Sequence, residues 1–394
     1  FGSHFTSMPI VLFDTPQRNL LYPFTCTRAV AGIRAGIFTI KERWEKLAGQ
    51  QAYVLTAPYL QAIYPDLPAR EKILVNASVI PDEGLVTLVL NLQMGEAVIK
   101  DGEIIAAASP AGKDWSIHTI VPEKFKKQVP YDSALRKIIY PWHIFQLNDA
   151  LIRSDFELIT AGRVPQPTAC GHGWTAPENI FIEEGALLSH CFINASEGPV
   201  YLAKNAIIME GCMIRGPFAM GEGSVLKMGA RVYGATTLGP YCTAGGEIKN
   251  AVFMGYSNKA HDGYIGDAVV GEWCNLGAGT SGSNVRNDAA VIYMNTGQLP
   301  NIAAGLKCGL LMGDYSRSAI NTSFNTGTFA GIASNIFGQG LTPRYLPDFT
   351  WGFTQRYIFD KAVEHIANWK KLKHRSLEPA DIQILEHLYK QTIL

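Results

Sequence analysis

From Leu202 onward a bulky apolar residue recurs at every sixth position: Leu202, Ile208, Ile214, Met220, Leu226, Val232 and Leu238. Four residues after each stands a mostly small side chain, namely Ala206, Cys212, Phe218, Ser224, Ala230, Thr236 and Cys242. Turn-prone residues fall between them, at Asn205, Gly211, Pro217, Gly223 and Gly229. The period returns later as Met312, Ser318, Phe324, Ala330 and Ile336, with Ser316, Thr322, Thr328 and Ser334 at the small positions. Neither a helix nor an ordinary strand repeats every six residues. A hexapeptide repeat does: six residues make a short strand and a corner, and successive corners wind the chain into a parallel β-helix. The bulky residue fills the interior of the coil, and the small one fits where the wall bends. The alternative, chance alternation in a buried sheet, does not account for an unbroken run of this length.

Elsewhere the pattern changes. Ile10-Val11-Leu12-Phe13 reads as a short buried strand, residues 30–47 as a helix ending near Gly49, and Tyr53-Val54-Leu55 and Ile73-Leu74-Val75 as further strands. Two apolar runs on either side of Asp101-Gly102 predict a hairpin with a type I′ turn. Residues 142–160 carry Ile144, Leu147, Leu151, Phe156 and Ile159 at helical spacing, and the Pro- and Gly-rich stretch from Gly162 to Gly173 marks a boundary. Beyond the repeat, residues 354–373 form one amphipathic helix and Glu378-Pro379 opens a second, suited to capping the end of a solenoid. The expected organisation is an α/β domain over 8–165, a β-helix over 174–350 and a helical cap over 351–394.

Composition narrows the function classes. Basic and acidic residues balance at 34 each, and charged residues are 17% of the chain, with no basic tract to suggest nucleic acid. No apolar run is long enough to span a bilayer. Residues 1–7 read as an added leader, so the native start is expected at Met8, with no secretory signal after it. The seven cysteines form no CxxC pair. Cys212 and Cys242 fall at small wall positions, and thiols used as filler suit a reducing, cytoplasmic setting. Cys170-Gly171-His172 and His190-Cys191 lack the paired spacing of structural zinc sites.

The six-residue count breaks between Ile248 and Ile265 and again between Asp288 and Leu306, and insertions in a solenoid are expected to be extruded as loops on a functional face. The first break carries Lys249, Asn258, Lys259, His261, Asp262 and Tyr264. The motifs around it are Glu247-Ile248-Lys249, Lys259-Ala260-His261, Tyr264-Ile265-Gly266-Asp267, the run from Asn275 to Thr280, and Asn284. Over 247–284 this order and spacing resemble the acetyltransferase domain of the bifunctional N-acetylglucosamine-1-phosphate uridyltransferase/glucosamine-1-phosphate acetyltransferases. That resemblance implies His261 as the general base, which takes a proton from the sugar amine while the nitrogen attacks the thioester of acetyl-CoA, the co-substrate. Imidazole suits this work because it exchanges a proton near neutral pH. It further implies Lys249 and Tyr264 at the sugar phosphate, Asn275 and Asn284 orienting the sugar or the attacking nitrogen, and Arg231 as a second phosphate cation. It also implies a left-handed coil and a homotrimer with sites between neighbouring prisms. The chain departs from the pattern after Asn284, where Arg286 or Lys307 stands in for the family's lysine.

The family's companion domain is a nucleotidyltransferase whose glycine-rich loop approaches the nucleotide phosphates. Here residues 13–24 contain no glycine, and Leu21-Tyr22-Pro23-Phe24-Thr25 resembles the L-x-P-L-T element that follows that loop. The opening also resembles a group of sugar-nucleotidyltransferase-like proteins with the same shortened start. By this likeness Arg18, Arg28 and Arg34 are candidates for binding phosphates, and Asp14, with Asp82 as an alternative, for holding Mg²⁺, because Asn76 stands near the family's acidic position. Three readings follow: acetyl-CoA-dependent N-acetylation of an amino-sugar phosphate or nucleotide, with coupled nucleotidyl transfer from a nucleoside triphosphate; nucleotidyl transfer alone; or a non-catalytic sugar-nucleotide-binding protein.

Overall fold

The computed structural model describes residues 8–167, 173–294 and 301–392. Residues 1–7 and the Cys170 and His172 zinc candidates lie outside the described residues. The chain forms two compact units: 8–21, Thr27–Ile33 and Phe38–Ile139 in one; Tyr22–Cys26, Arg34–Ile37 and Tyr140 onward in the other.

The first unit is built on a six-stranded sheet in the order Ala52–Leu55, Ile10–Phe13, Lys72–Asn76, Glu103–Ser109, Glu96–Lys100, Lys127–Pro130. The first three strands are parallel, and the fourth runs antiparallel to Lys72–Asn76. Every residue of Ile10–Phe13 is buried, as expected of a central parallel strand covered on both faces. The hairpin expected at Asp101-Gly102 is present, with both residues at positive φ. The helix expected over 30–47 is shorter. It spans Ile40–Ala48, and Thr39 opens it by accepting a hydrogen bond from the Glu42 amide while the Glu42 carboxylate accepts from the Thr39 amide. That capping box fixes the start, and the stretch before it, with Gly32 and Gly36, runs irregularly.

The second unit is a parallel β-solenoid with a helix before it and two after it. Its first strand is Gly173–Thr175. Leu202, Ile208, Ile214, Met220, Leu226, Val232 and Leu238 all line the interior. The small positions Ala206, Cys212, Ser224, Ala230, Thr236 and Cys242 are buried at the bends. Cys191, Cys212, Cys242, Cys274 and Cys308 are buried thiols. Burial holds Cys191 and Cys242 up at about 11, away from the reactive thiolate form.

The two breaks in the period have different causes. The first is not an extruded loop: residues Glu247–Gly255 and Tyr264–Glu272 run as nine-residue strands straight through a corner, which shortens the coil. The second is an insertion, and it carries the antiparallel pair Ile292–Met294 and Ile302–Gly305.

Three walls surround the coil. The helix His143–Thr160 lies on the first, where the Asn148 amide donates to the Ala235 carbonyl at 2.8 Å and Asn148 Oδ1 accepts from Thr237. The helix Phe359–Lys371 covers the later coils of the second, with the Arg317 guanidinium over Trp369 and Lys370 Nζ over Trp273. It begins later than the expected 354, after the turn into Gln355–Arg356. The third wall is open to solvent over its early coils, where Phe192 and Met213 are 60% and 55% exposed.

Candidate functional site

The third wall presents two columns of outward side chains, one residue per coil, set by parallel register. One column runs Gly173, Phe192, Met213, Arg231, Glu247, Tyr264. Beside it Tyr233, Lys249 and Gly266 are in register. The expected residues Arg231, Lys249 and Tyr264 therefore stand on one face within adjacent coils. Between them Glu247 accepts a hydrogen bond from the Tyr233 hydroxyl at 2.7 Å and faces Arg231 at 3.6 Å. The Lys249 ammonium lies 5.9 Å from the centre of the Tyr233 ring. This half-buried patch of two cations, two phenols and one carboxylate is suited to a small anionic, hydroxyl-rich ligand.

His261 is exposed, on the corner that leads into Tyr264. Two features place that corner. Gly263 has φ near +120°, and a Cβ there would lie 2.0 Å from the Thr280 carbonyl oxygen, so only glycine lets the coils stack this closely. From below, Lys259 points into the coil at the level of Ala244 and is 1% exposed. Its ammonium donates to the carbonyls of Gly245 at 3.0 Å and His261 at 2.8 Å. Burial drives its pKa down to about 8, with Asp262 opposing the shift. The lysine of the Lys259-Ala260-His261 motif is thus a strut beneath the histidine, and its alkyl chain replaces the apolar filler found at other interior positions.

Tyr264 folds back over Gly266, where a Cβ would lie 2.1 Å from its hydroxyl oxygen and 3.0 Å from Asn284 Nδ2. Burial, then the nearby Asp267, pushes the Tyr264 phenol up to about 12, so it stays a hydrogen-bond donor at neutral pH. Asn284 donates to Asp267 Oδ2, and Asn250 donates to Asp267 Oδ1 at 2.7 Å. Asn284 therefore joins the site with its amide nitrogen held on Asp267. Asn275 does not: it sits in register with Asn258 and Arg317 on the second wall, the one the C-terminal helix covers. Arg286 closes on Asp288 at 2.6 Å, so its guanidinium is engaged within its own turn.

In the first unit, Asp14 follows strand Ile10–Phe13 and Asn76 ends strand Lys72–Asn76, where the crossovers leave the sheet in opposite directions, the usual binding crevice of such sheets. The contents of this crevice differ from expectation. Asp14 is buried and accepts from Arg18 Nε at 3.0 Å, Thr56 Oγ1 at 2.6 Å and the Val30 amide at 3.0 Å. Burial raises its pKa, and Arg18 opposes the rise. Asn76 Oδ1 accepts from the Ser78 amide and hydroxyl, so it closes its own turn. Asp82 caps the helix Glu83–Leu90 by accepting from the Leu85 amide. This donor set does not fit Mg²⁺, since the carboxylate expected to hold it has both oxygens taken by protein donors. Among the described residues no group of three His, Cys, Asp or Glu side chains is placed to hold a metal. Arg18 and Arg28 are buried in this unit, whereas Arg34 belongs to the other. The space between Thr15, Arg18, Asn76 and Ser78 is about 10 Å³, room for one water.

Sequence reasoning missed Tyr233 and Glu247 as members of the site and Lys259 as an interior residue. The outward column would have identified the first two, since each stands one coil from an expected residue.

Residues 10–164 match the family model described as sugar nucleotidyl transferase. The chain is 29% identical over 116 residues to the bifunctional protein GlmU of Methanocaldococcus jannaschii, covering 29% of this chain and 28% of that protein. It is 31% identical over 98 residues to the bifunctional sugar-1-phosphate nucleotidylyltransferase/acetyltransferase of Sulfurisphaera tokodaii, covering 25% and 24%. Over 214 residues it is 25% identical to the GlmU of Methanococcus vannielii, covering 52% and 43%. The matched segments span less than half the length of each of these relatives. Among the described residues no helix is long and apolar enough to cross a membrane.

Proposed function

We propose that the second unit is an acyltransferase that moves an acetyl group from acetyl-CoA to the amine of a sugar phosphate. The observation that carries this reading is one open wall on which Arg231, Lys249, Tyr264 and Asn284 gather beside the His261 corner. Lys249 and Arg231 hold the phosphate as point charge and fork. The Tyr264 hydroxyl and the Asn284 side chain orient the sugar. The amine nitrogen attacks the thioester carbonyl, the His261 imidazole takes the proton the nitrogen loses, the carbon–sulfur bond breaks, and that proton passes to the departing thiolate. The names of the bifunctional relatives support the same chemistry. A left-handed coil, a homotrimer whose neighbouring wall closes over His261, and a cytoplasmic setting belong to this reading.

The test is thiol release from acetyl-CoA with amino-sugar 1-phosphates as acceptors. His261→Ala is expected to lower kcat roughly 10²- to 10⁴-fold, the usual share of a general base. Lys249→Ala is expected to act mainly on KM. Activity unchanged in His261→Ala removes the proposal.

Nucleotidyl transfer is a second reading, favoured by the family match over 10–164. It predicts pyrophosphate release from a nucleoside triphosphate and a sugar 1-phosphate, insensitive to His261→Ala. The engaged Asp14 and the closed crevice weigh against it.

A further inference from the structure

Beyond Glu247 the third wall continues toward the first coil as a trough of about 880 Å³. Its floor is sheet backbone, and its two rails are the outward columns, roughly 7 Å apart at alternate residues of a strand. One rail is apolar at its far end, where Phe192 and Met213 stand well exposed. The other carries Asn194 and Arg215, in register with each other two residues further along the same strands. Arg215 meets Glu197 at 3.3 Å, and Arg231 meets Glu247 at 3.6 Å, with each of the four side chains a third or more exposed. Such surface pairs are weak and are readily exchanged for a ligand's charge.

We infer that the acceptor is a nucleoside diphosphate amino sugar rather than a free sugar 1-phosphate. This rests on the acyl-transfer reading and names its substrate class. The order of groups along the trough matches the order of groups in that ligand. Glu247 and the His261 corner face the amine. Lys249, Arg231 and Arg215, on successive coils, offer three cations to a diphosphate. Phe192 offers a ring face to a base, and Asn194, whose Oδ1 accepts from the Ser196 amide and hydroxyl, offers its Nδ2 as a donor to the base edge. Glu247 and Phe192 are three coils apart, roughly 14 Å at the strand spacing of a sheet. An extended diphosphate with its ribose spans a comparable length. A sugar 1-phosphate alone reaches only Lys249 and Arg231 and leaves the aromatic end of the trough unused.

The experiment compares hexosamine 1-phosphate with UDP-, GDP- and dTDP-hexosamine as acceptors, in the wild-type chain and in Phe192→Ala. Binding of each nucleotide sugar is measured alongside by calorimetry. The expected result is at least a tenfold higher kcat/KM for one nucleotide sugar, and a loss of roughly 5- to 150-fold in its affinity in Phe192→Ala, the range for one stacked base. The same variant leaves any turnover of the 1-phosphate unchanged. Nucleotide-sugar binding that depends on Phe192 without acetylation of any acceptor sustains the trough and defeats the acyl-transfer reading. Efficient acetylation of the 1-phosphate with no dependence on Phe192 overturns the inference and leaves acyl transfer standing. Dissociation of an oligomer by Phe192→Ala, with nucleotide affinity unchanged, also overturns it by making Phe192 an interface residue.

Discussion

Lys259→Met tests the strut beneath His261. The wild-type ammonium is buried and charged, with its pKa lowered from 10.5 to about 8. At about 1.4 kcal/mol per unit, that burial costs about 3 kcal/mol when the group is charged. Against this stand two charge-assisted hydrogen bonds, to the carbonyls of Gly245 and His261, worth about 1.5–3 kcal/mol each. Met keeps the alkyl volume and loses both bonds, so near pH 7 the net loss is about 0–3 kcal/mol. The pH dependence is the sharper signal. Below pH 8 the lysine is protonated in both folded and unfolded chains. Between pH 8 and 10.5 the folded chain gives up its proton while the unfolded chain keeps one, so wild-type stability rises with pH by up to about 3 kcal/mol. Met has nothing to titrate, and the contributions of other groups cancel in the comparison. The stability gap between wild type and variant is therefore expected to widen by about 2–3 kcal/mol from pH 7 to 10. Hydrogen exchange of solenoid peptides across a urea series reads this gap without involving the first unit. A gap that stays flat across that range would refute the buried strut.

Asp348 is half-buried beside Tyr22, whose hydroxyl donates to it at 2.7 Å, and its partial burial raises its pKa from 3.8 to about 6. Its favourable protonated form is lost as pH rises through 6, so Asp348→Asn is expected to gain on wild type by up to about 3 kcal/mol between pH 4 and 7, read as a difference in melting temperature. Gly263→Ala forces a Cβ onto the Thr280 carbonyl at 2.0 Å in a left-handed backbone. It is expected to cost about 3 kcal/mol or more and to abolish acetyl transfer, while Gly340→Ala, where a Cβ meets nothing within 4 Å, costs far less. Asp14→Ala leaves the Arg18 guanidinium buried without its carboxylate, so a loss of about 3–5 kcal/mol is expected in thermal unfolding of the first unit, with acetyl transfer by the folded protein retained.

The coil interior was legible because a six-residue period can be satisfied only by a wall that turns every six residues, and each bulky residue from Leu202 to Leu238 lands inside it. The Pro- and Gly-rich stretch up to Gly173 marked where the coil starts, but the six-residue count does not reach back to it because the first coils vary in length: Ile180 and Ile182 lie beneath Val200 and Leu202, twenty residues on. The break near His261 misled for the opposite reason, since a shortened coil and an inserted loop both interrupt a count. Only the strands through Ala251 and Ala268 show which of them is present. Lys259 reads as a surface residue because a buried ammonium needs main-chain acceptors, and one of its two, the Gly245 carbonyl, comes from a corner one coil away. Asn275 was grouped with His261 by the family resemblance, yet a strand and a corner between them put it on another wall. In the first unit the strands and the hairpin followed from composition and turn chemistry, whereas the commitment of Asp14 to Arg18, Thr56 and Val30 depends on contacts that span 42 residues.

The account stands on an open solenoid wall that binds an amino sugar by its phosphate and presents the amine to His261. The most direct measurement is a structure of the full chain with coenzyme A and the amino-sugar ligand bound. The phosphate is expected on Lys249 and Arg231, and the amine within hydrogen-bond reach of both the His261 ring and the thiol end of the coenzyme. A sugar bound away from this wall, or bound on it with the amine turned from His261, would contradict it.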